Sequence, residues 1–164
     1  MVGGVTDELT PPETGINAAD RANTADHLAQ LLADSYTLYL KTQDYHWNVT
    51  GQQFGALHAL FEAQYTDLAL AVDAIAERIR ALGHSALGSY AEFGARTKVA
   101  EAAGKTTAMQ MVAALAHDHE TLAKAAAAVI AVAQAGSDEP TAGLATTRQE
   151  IHEKAAWMLH SFLE

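Results

Sequence analysis

The chain has 164 residues, 49% of them apolar, which is the length of about one domain with enough apolar material for a real core. Asp and Glu number 20 against 10 Lys and Arg, and the resulting formal charge of -10, with a pI near 5.1, disfavours a general nucleic-acid binder. The absence of cysteine excludes disulfide scaffolds, thiolate catalysis and Cys-ligated zinc or iron–sulfur sites, so any metal must use His and carboxylates.

Residues 1–17 hold Pro11, Pro12 and several acids, no base and no helical period, and read as a flexible acidic arm. MVGGVTDELTPP has neither a basic start nor a long apolar stretch, so no secretory signal is expected and the expected compartment is the cytoplasm. Asn17 can cap a helix, and Leu28, Leu31, Leu32, Tyr36 and Tyr39 recur at three- and four-residue steps, predicting helix one over 18–48. Thr50 and Gly51 break it. A second period runs through Phe54, Leu57, Leu60, Phe61, Leu68, Val72, Ile75 and Ile79 to Gly83. Between Gly83 and Gly104 lies a long crossover with one short helix over Ser89 to Arg96. Thr106 or Thr107 opens an Ala-rich helix three that closes at Gly136, and Pro140 suits the first turn of helix four, which runs to Leu163. The longest aliphatic run, Ala125 to Ala133, falls far short of the roughly 20 residues of a membrane span. Residues 18–164 thus read as one all-α, four-helix bundle domain whose long crossover gives it ferritin-like connectivity.

Standard catalytic strings are missing: GxxxxGK[ST], GxGxxG and GxSxG do not occur, and neither His119-Glu120 nor His152-Glu153 is followed by the second His of a zinc protease. No Glu has a His three residues later, which argues against a di-iron centre inside the bundle. The chemistry-bearing residues that remain are His46, His58 and Glu62 at the junction of helices one and two, and Asp73 and Glu77 toward the end of helix two. On a helical wheel His58, Glu62, Asp73 and Glu77 fall at about 0°, 40°, 60° and 100°, on one face, with Asp67 about 180° away. Along the axis His58 and Glu77 are separated by roughly 28 Å, too far to share a metal within one chain. Positions 58 and 77 have the same midpoint as 62 and 73, so two antiparallel copies of helix two, related by a two-fold axis, would bring His58 to the partner's Glu77 and Glu62 to the partner's Asp73.

The run YHWNVTGQQFGALHALFEAQY, followed by AVDAIAERIRALG and closed by HEKAAWMLHSFL, resembles the Dps family, the miniferritins named for DNA protection during starvation. The resemblance spans the chain after the arm, and the HWN, LHxxFE and DxxAER elements carry it. It implies a closed homo-oligomer, a shell of twelve subunits, that oxidises ferrous iron, preferably with hydrogen peroxide, and stores ferric mineral. It also implies ferroxidase sites shared between subunits: His46 and His58 from one chain, Asp73 and Glu77 from its neighbour, with Glu62 binding directly or through water. Trp47 matches the family's aromatic neighbour of the site, serving either as a sink for oxidising equivalents or as packing. Asp138 and Glu139 fall where the family places acids around an iron-entry pore; their alternative role is charge at a helix N-terminus. Mixed imidazole and carboxylate ligands suit ferrous iron and also admit zinc or cobalt.

His117 to Glu120 form a dense polar run whose successive members point in different directions, which disfavours an accessory metal there. His27, His84, His152 and His160 read as surface or packing residues. The rival functional reading is a nucleoid-condensing, DNA-binding protein with secondary ferroxidase activity. A lysine-rich arm would favour it, but residues 1–20 carry Asp7, Glu8, Glu13 and Asp20 and neither Lys nor Arg, so DNA binding through the termini is not expected.

Overall fold

The computed structural model describes residues 10–164. Five helices follow in order: α1 (Ala18–Asn48), α2 (Phe54–Ala81), α3 (Tyr90–Arg96), α4 (Ala108–Ala135) and α5 (Glu139–His160), with no strand among the described residues. α1 packs on α2 and α4 on α5, each pair joined by a short loop; α1 also lies against α4, and α2 makes a smaller contact with α5. The long crossover carries α3, which packs on α1. This is the all-α bundle with ferritin-like connectivity that the periodicity predicts.

Side chains at the predicted boundaries set the helix ends. The Asn17 amide oxygen accepts the Asp20 N–H at 2.9 Å, satisfying one of the unpaired donors of the first turn. Of the two candidate threonines, Thr107 opens α4, in a capping box with Gln110. α3 begins with the same device, Ser89 with Glu92. α5 starts at Glu139, capped by Asp138, with Pro140 in its first turn. Its regular part ends at His160, short of the predicted Leu163, because the backbone tightens: Phe162 N–H bonds to Leu159 O and Leu163 N–H to His160 O, three residues back.

The crossover is tied down by polar side chains of α1. Asp34 accepts the Lys98 N–H at 2.6 Å and the Thr97 hydroxyl at 3.1 Å, Lys41 Nζ donates to Ala100 O at 2.9 Å, and the Gln30 amide donates to Arg96 O at 3.0 Å. The expected arm, residues 1–17, lies outside the described residues as far as residue 9. Further on, Pro11 sits so close to Gly83 (φ +90°) that a Cβ added there would lie 2.6 Å from the Pro11 Cβ.

Two apolar clusters fill the bundle. One joins Leu38, Tyr45, Leu57, Phe61, Leu68, Leu115, Leu122 and Leu159, and the other Leu28, Leu31, Leu32, Ile75, Ile79, Phe93 and Val129. These residues include most of the predicted stripes, and their burial leaves the opposite face of α2 uncovered.

Candidate metal centre

The end of α1 and the start of α2 hold His46 and His58 face to face, with ring centroids 3.7 Å apart and planes at 16°. The contact is fixed by two reciprocal hydrogen bonds: His46 Nδ1 lies 2.8 Å from the His58 carbonyl oxygen, and His58 Nδ1 lies 2.8 Å from the His46 carbonyl oxygen. A carbonyl oxygen only accepts, so each Nδ1 carries the hydrogen and donates. Each Nε2 is left as the nitrogen available to a metal, the usual arrangement for a ligating histidine. The His46 carbonyl belongs to the last turn of α1, where carbonyls lack a helical donor, so His58 orients its own ring by satisfying it. Phe54 stacks on His58 at 5.0 Å and Tyr65 meets the edge of His46 at 5.2 Å.

His46 is buried and His58 half-buried, whereas Glu62, Asp73 and Glu77 are exposed on α2. The structure thus brings the two histidines together, with Glu62 one turn after His58 on α2, and leaves Asp73 and Glu77 beyond their reach in one chain, as the rise along α2 demands. Among the described residues no group of three or more His, Asp or Glu could hold a metal ion in a single chain. Asp67, predicted to face away, turns into the bundle and pairs with Arg148 of α5 at 2.9 Å. Trp47, next to His46, is 63% exposed.

The two pore candidates part company. Asp138 is fully buried; its carboxylate pairs with Arg78 Nη2 at 2.7 Å and accepts the Thr141 N–H at 3.1 Å. It is a helix cap and an ion-pair partner of α2. Glu139, beside it, is exposed.

The polar run of α4 disperses as expected. His117 is exposed, Asp118 pairs with Lys41 at 2.7 Å, and Glu120 pairs with exposed His160 at 2.8 Å. Burial pushes the Asp118 carboxyl up despite Lys41, which acts in the opposite direction. His119 and His152 meet inside the bundle, Nδ1 to Nδ1 at 2.9 Å, with Arg148 Nη2 3.4 Å from His152 Nε2. Because the guanidinium can only donate, His152 Nε2 accepts and His152 Nδ1 donates to His119. Burial, and then Arg148, lowers the pKa of His119 from 6.5 to about 4; burial, then His119 and Arg148, lowers that of His152. Both rings are therefore neutral at pH 7.

Sequence reasoning did not single out Tyr65 or the reciprocal bonding of the histidines. The signal for Tyr65 was present: it lies two turns after His58, about 20° from it on the same face of helix two. The reciprocal bonds depend on the angle between two helices, which one-dimensional spacing does not carry.

No helix among the described residues is long and apolar enough to cross a membrane. Residues 25–164 match the ferritin-like domain family. A DNA protection during starvation protein from Bacillus anthracis is 38% identical over 136 residues, covering 83% of this chain and 93% of that relative. The crystal structure of a Dps protein from Vibrio cholerae, described as belonging to a broad superfamily of ferritin-like diiron-carboxylate proteins, superposes with a TM-score of 0.89 at 29% identity, covering 94% of this chain and 97% of that one. A Dps protein from Bacillus brevis gives a TM-score of 0.86 at 32% identity, covering 89% and 98%. Bundle, crossover and relatives agree: the chain belongs to the Dps proteins of the ferritin-like family.

Proposed function

We propose that the protein is a miniferritin: a ferroxidase that takes ferrous iron as substrate, oxidises it with hydrogen peroxide and stores the ferric product inside a closed homo-oligomer of twelve chains in the cytoplasm. The observation that carries this reading is the position of the locked His46–His58 pair on the flank of an uncovered α2 face. Between the two ends of that face lie the exposed small residues Ala63, Thr66, Ala69 and Ala74, with Leu70 72% exposed among them. Small side chains let helices approach closely, and an exposed leucine favours burial against a second copy. Antiparallel pairing of α2 with α2 of a neighbour about the midpoint of 58 and 77 would set the His46 and His58 Nε2 atoms opposite the partner's Asp73 and Glu77, with Glu62 at the edge.

Such a site has imidazole and carboxylate donors for ferrous iron, and zinc or cobalt would compete for it. The two histidines, stacked and hydrogen-bonded before any metal arrives, would form the firm end; the exposed carboxylates would form the loose end. Two ferrous ions, each giving one electron to the same hydrogen peroxide, and two protons from solvent yield two ferric ions and two waters without releasing hydroxyl radical. The protein's part is to hold metal and oxidant together and to supply acidic surface for mineral growth. Glu139, exposed at the start of α5, is the carboxylate available to line an entry pore, and Asp138 supports it as the cap.

Anaerobic protein given ferrous iron and then hydrogen peroxide, followed by ferric absorbance and by mass in solution, tests the reading. The expected result is consumption of about two ferrous ions per peroxide by a species of twelve chains, the two-electron stoichiometry of a shared site. A monomer with no peroxide consumption above that of free iron would overturn it.

A further inference from the structure

Four of the chain's five tyrosines stand in one line that starts at the histidine pair. Tyr65 meets His46 at 5.2 Å, Tyr39 meets Tyr65 at 6.3 Å, Tyr36 meets Tyr39 at 5.8 Å and Tyr90 meets Tyr36 at 6.2 Å, all edge-on. Phe93 stacks on Tyr36 at 4.6 Å and holds its plane. The line crosses three elements, α2, α1 and α3, so no single helical period produces it. Tyr65, Tyr39 and Tyr36 are half-buried, and Tyr90, 73% exposed in the single chain, is the member of the line most open to solvent. Burial, together with Tyr90 and Tyr39, raises the Tyr36 pKa, so its phenol is neutral at pH 7 and can be oxidised only by losing a proton as well as an electron.

We infer that Tyr65, Tyr39, Tyr36 and Tyr90 form a relay that carries an oxidising equivalent away from the histidine-held iron to the protein surface. The inference rests on the ferroxidase reading and adds to it the case in which only one ferrous ion is bound. That ion supplies one electron to hydrogen peroxide, giving ferric ion, hydroxide and a hydroxyl radical. The radical takes a hydrogen atom from the Tyr65 phenol, and water forms. Tyr65 regains an electron from Tyr39, Tyr39 from Tyr36 and Tyr36 from Tyr90; Tyr39 and Tyr36 each release the phenol proton to adjacent water on oxidation and take one back on reduction, Tyr90 gives its proton to solvent, and the Tyr65 phenolate oxygen is reprotonated by site water. The balance is one ferrous ion, one peroxide and one tyrosine converted to ferric ion, hydroxide, water and a tyrosyl radical. The radical ends where small-molecule reductants reach it, far from the ligands it would otherwise damage.

The test uses the assembled protein loaded with fewer ferrous ions than sites, treated with hydrogen peroxide and freeze-quenched for electron paramagnetic resonance. A parallel sample with a nitroso spin trap is digested and mapped by mass. The parent should show a tyrosyl signal and a trap adduct on the Tyr90 peptide. Tyr65→Phe should lower the tyrosyl signal severalfold, and Tyr39→Phe and Tyr36→Phe should each lower the Tyr90 adduct severalfold. Tyr45→Phe, which alters the one tyrosine off the line, should change neither. Ferric absorbance in the same samples separates the two levels: ferric product with a Tyr90 adduct and tyrosyl signal indifferent to Tyr65→Phe and Tyr39→Phe overturns the relay alone. Absence of ferric product in the parent overturns the ferroxidase reading and the relay with it. The resonance amplitude decides the case in which a neighbouring chain shields Tyr90 from the trap.

Discussion

At the scale of single residues, the buried histidines give the protein an acid-sensitive interior. His119 binds its proton at about pH 4 when folded and near 6.5 when unfolded, so between these values the unfolded chain holds more protons. Stability is therefore complete above the upper value, falls as the pH drops through the window and falls no further on this account below it; the size is on the order of 3 kcal/mol per chain. His152 adds in the same direction, and Asp118, whose pKa is raised by burial, acts in the opposite direction. Thermal midpoints measured from pH 7.5 to about 4 at fixed protein concentration should fall toward acid, and His119→Gln should flatten the slope. A parent midpoint independent of pH over this range would contradict the assignment of neutral buried rings. Asp138 supplies a second residue-level test. Asp138→Ala removes both the Arg78 ion pair and the α5 cap and should cost about 2–4 kcal/mol, while Asp138→Asn, whose amide still accepts from Thr141, should cost less. Equal, negligible losses for both would return Asp138 to the role of a free pore carboxylate.

At the scale of elements, the helices were legible because each stripe, break and cap uses local rules: Asn17, Gly51, Ser89 and Pro140 each mark a boundary the structure keeps. The choice between Thr106 and Thr107, which the periodicity leaves open, was legible in the capping-box pattern: Gln110 stands three residues after Thr107. Which carboxylates turn inward was half legible. The wheel sends Asp67 away from Glu62 and Asp73, and it does pair with Arg148; nothing local marks Asp138 as buried, because its partner Arg78 lies on another helix. The His46–His58 stack belongs to the same class, set by the approach of α1 to α2. The approach of Pro11 to Gly83 is another long-range contact that periodicity does not report. Gly83 holds φ +90° with Pro11 against it, so Gly83→Ala should cost about 1–3 kcal/mol, read as a lower urea midpoint with unchanged slope. An unchanged midpoint would mean that the segment before α1 does not rest on the end of α2.

At the scale of the whole molecule, the tests concern charge and the proposed symmetry. Its formal charge of -10 per chain repels phosphate and would multiply in the proposed shell, and residues 1–20 carry four acids and no base. Gel shifts at physiological salt with a chelator present should show no retained duplex DNA; binding that weakens as salt rises would restore the nucleic-acid reading. On the proposed function, the same acidity would suit the interior of a ferric store, and the two-fold symmetry of the proposed shell would supply the second half of each site. Roughly 28 Å of α2 separates His58 from Glu77, so the central claim is that two chains build one centre. The most direct measurement is complementation. His46→Ala with His58→Ala in one chain, and Asp73→Ala with Glu77→Ala in another, should each abolish most peroxide-driven iron oxidation when assembled alone. In an equal, randomly mixed assembly about a quarter of the sites regain every ligand, because each mixed two-fold pair contains one intact centre, and that share of the parent activity should return. No recovered oxidation in mixed assemblies of verified composition would contradict the shared site.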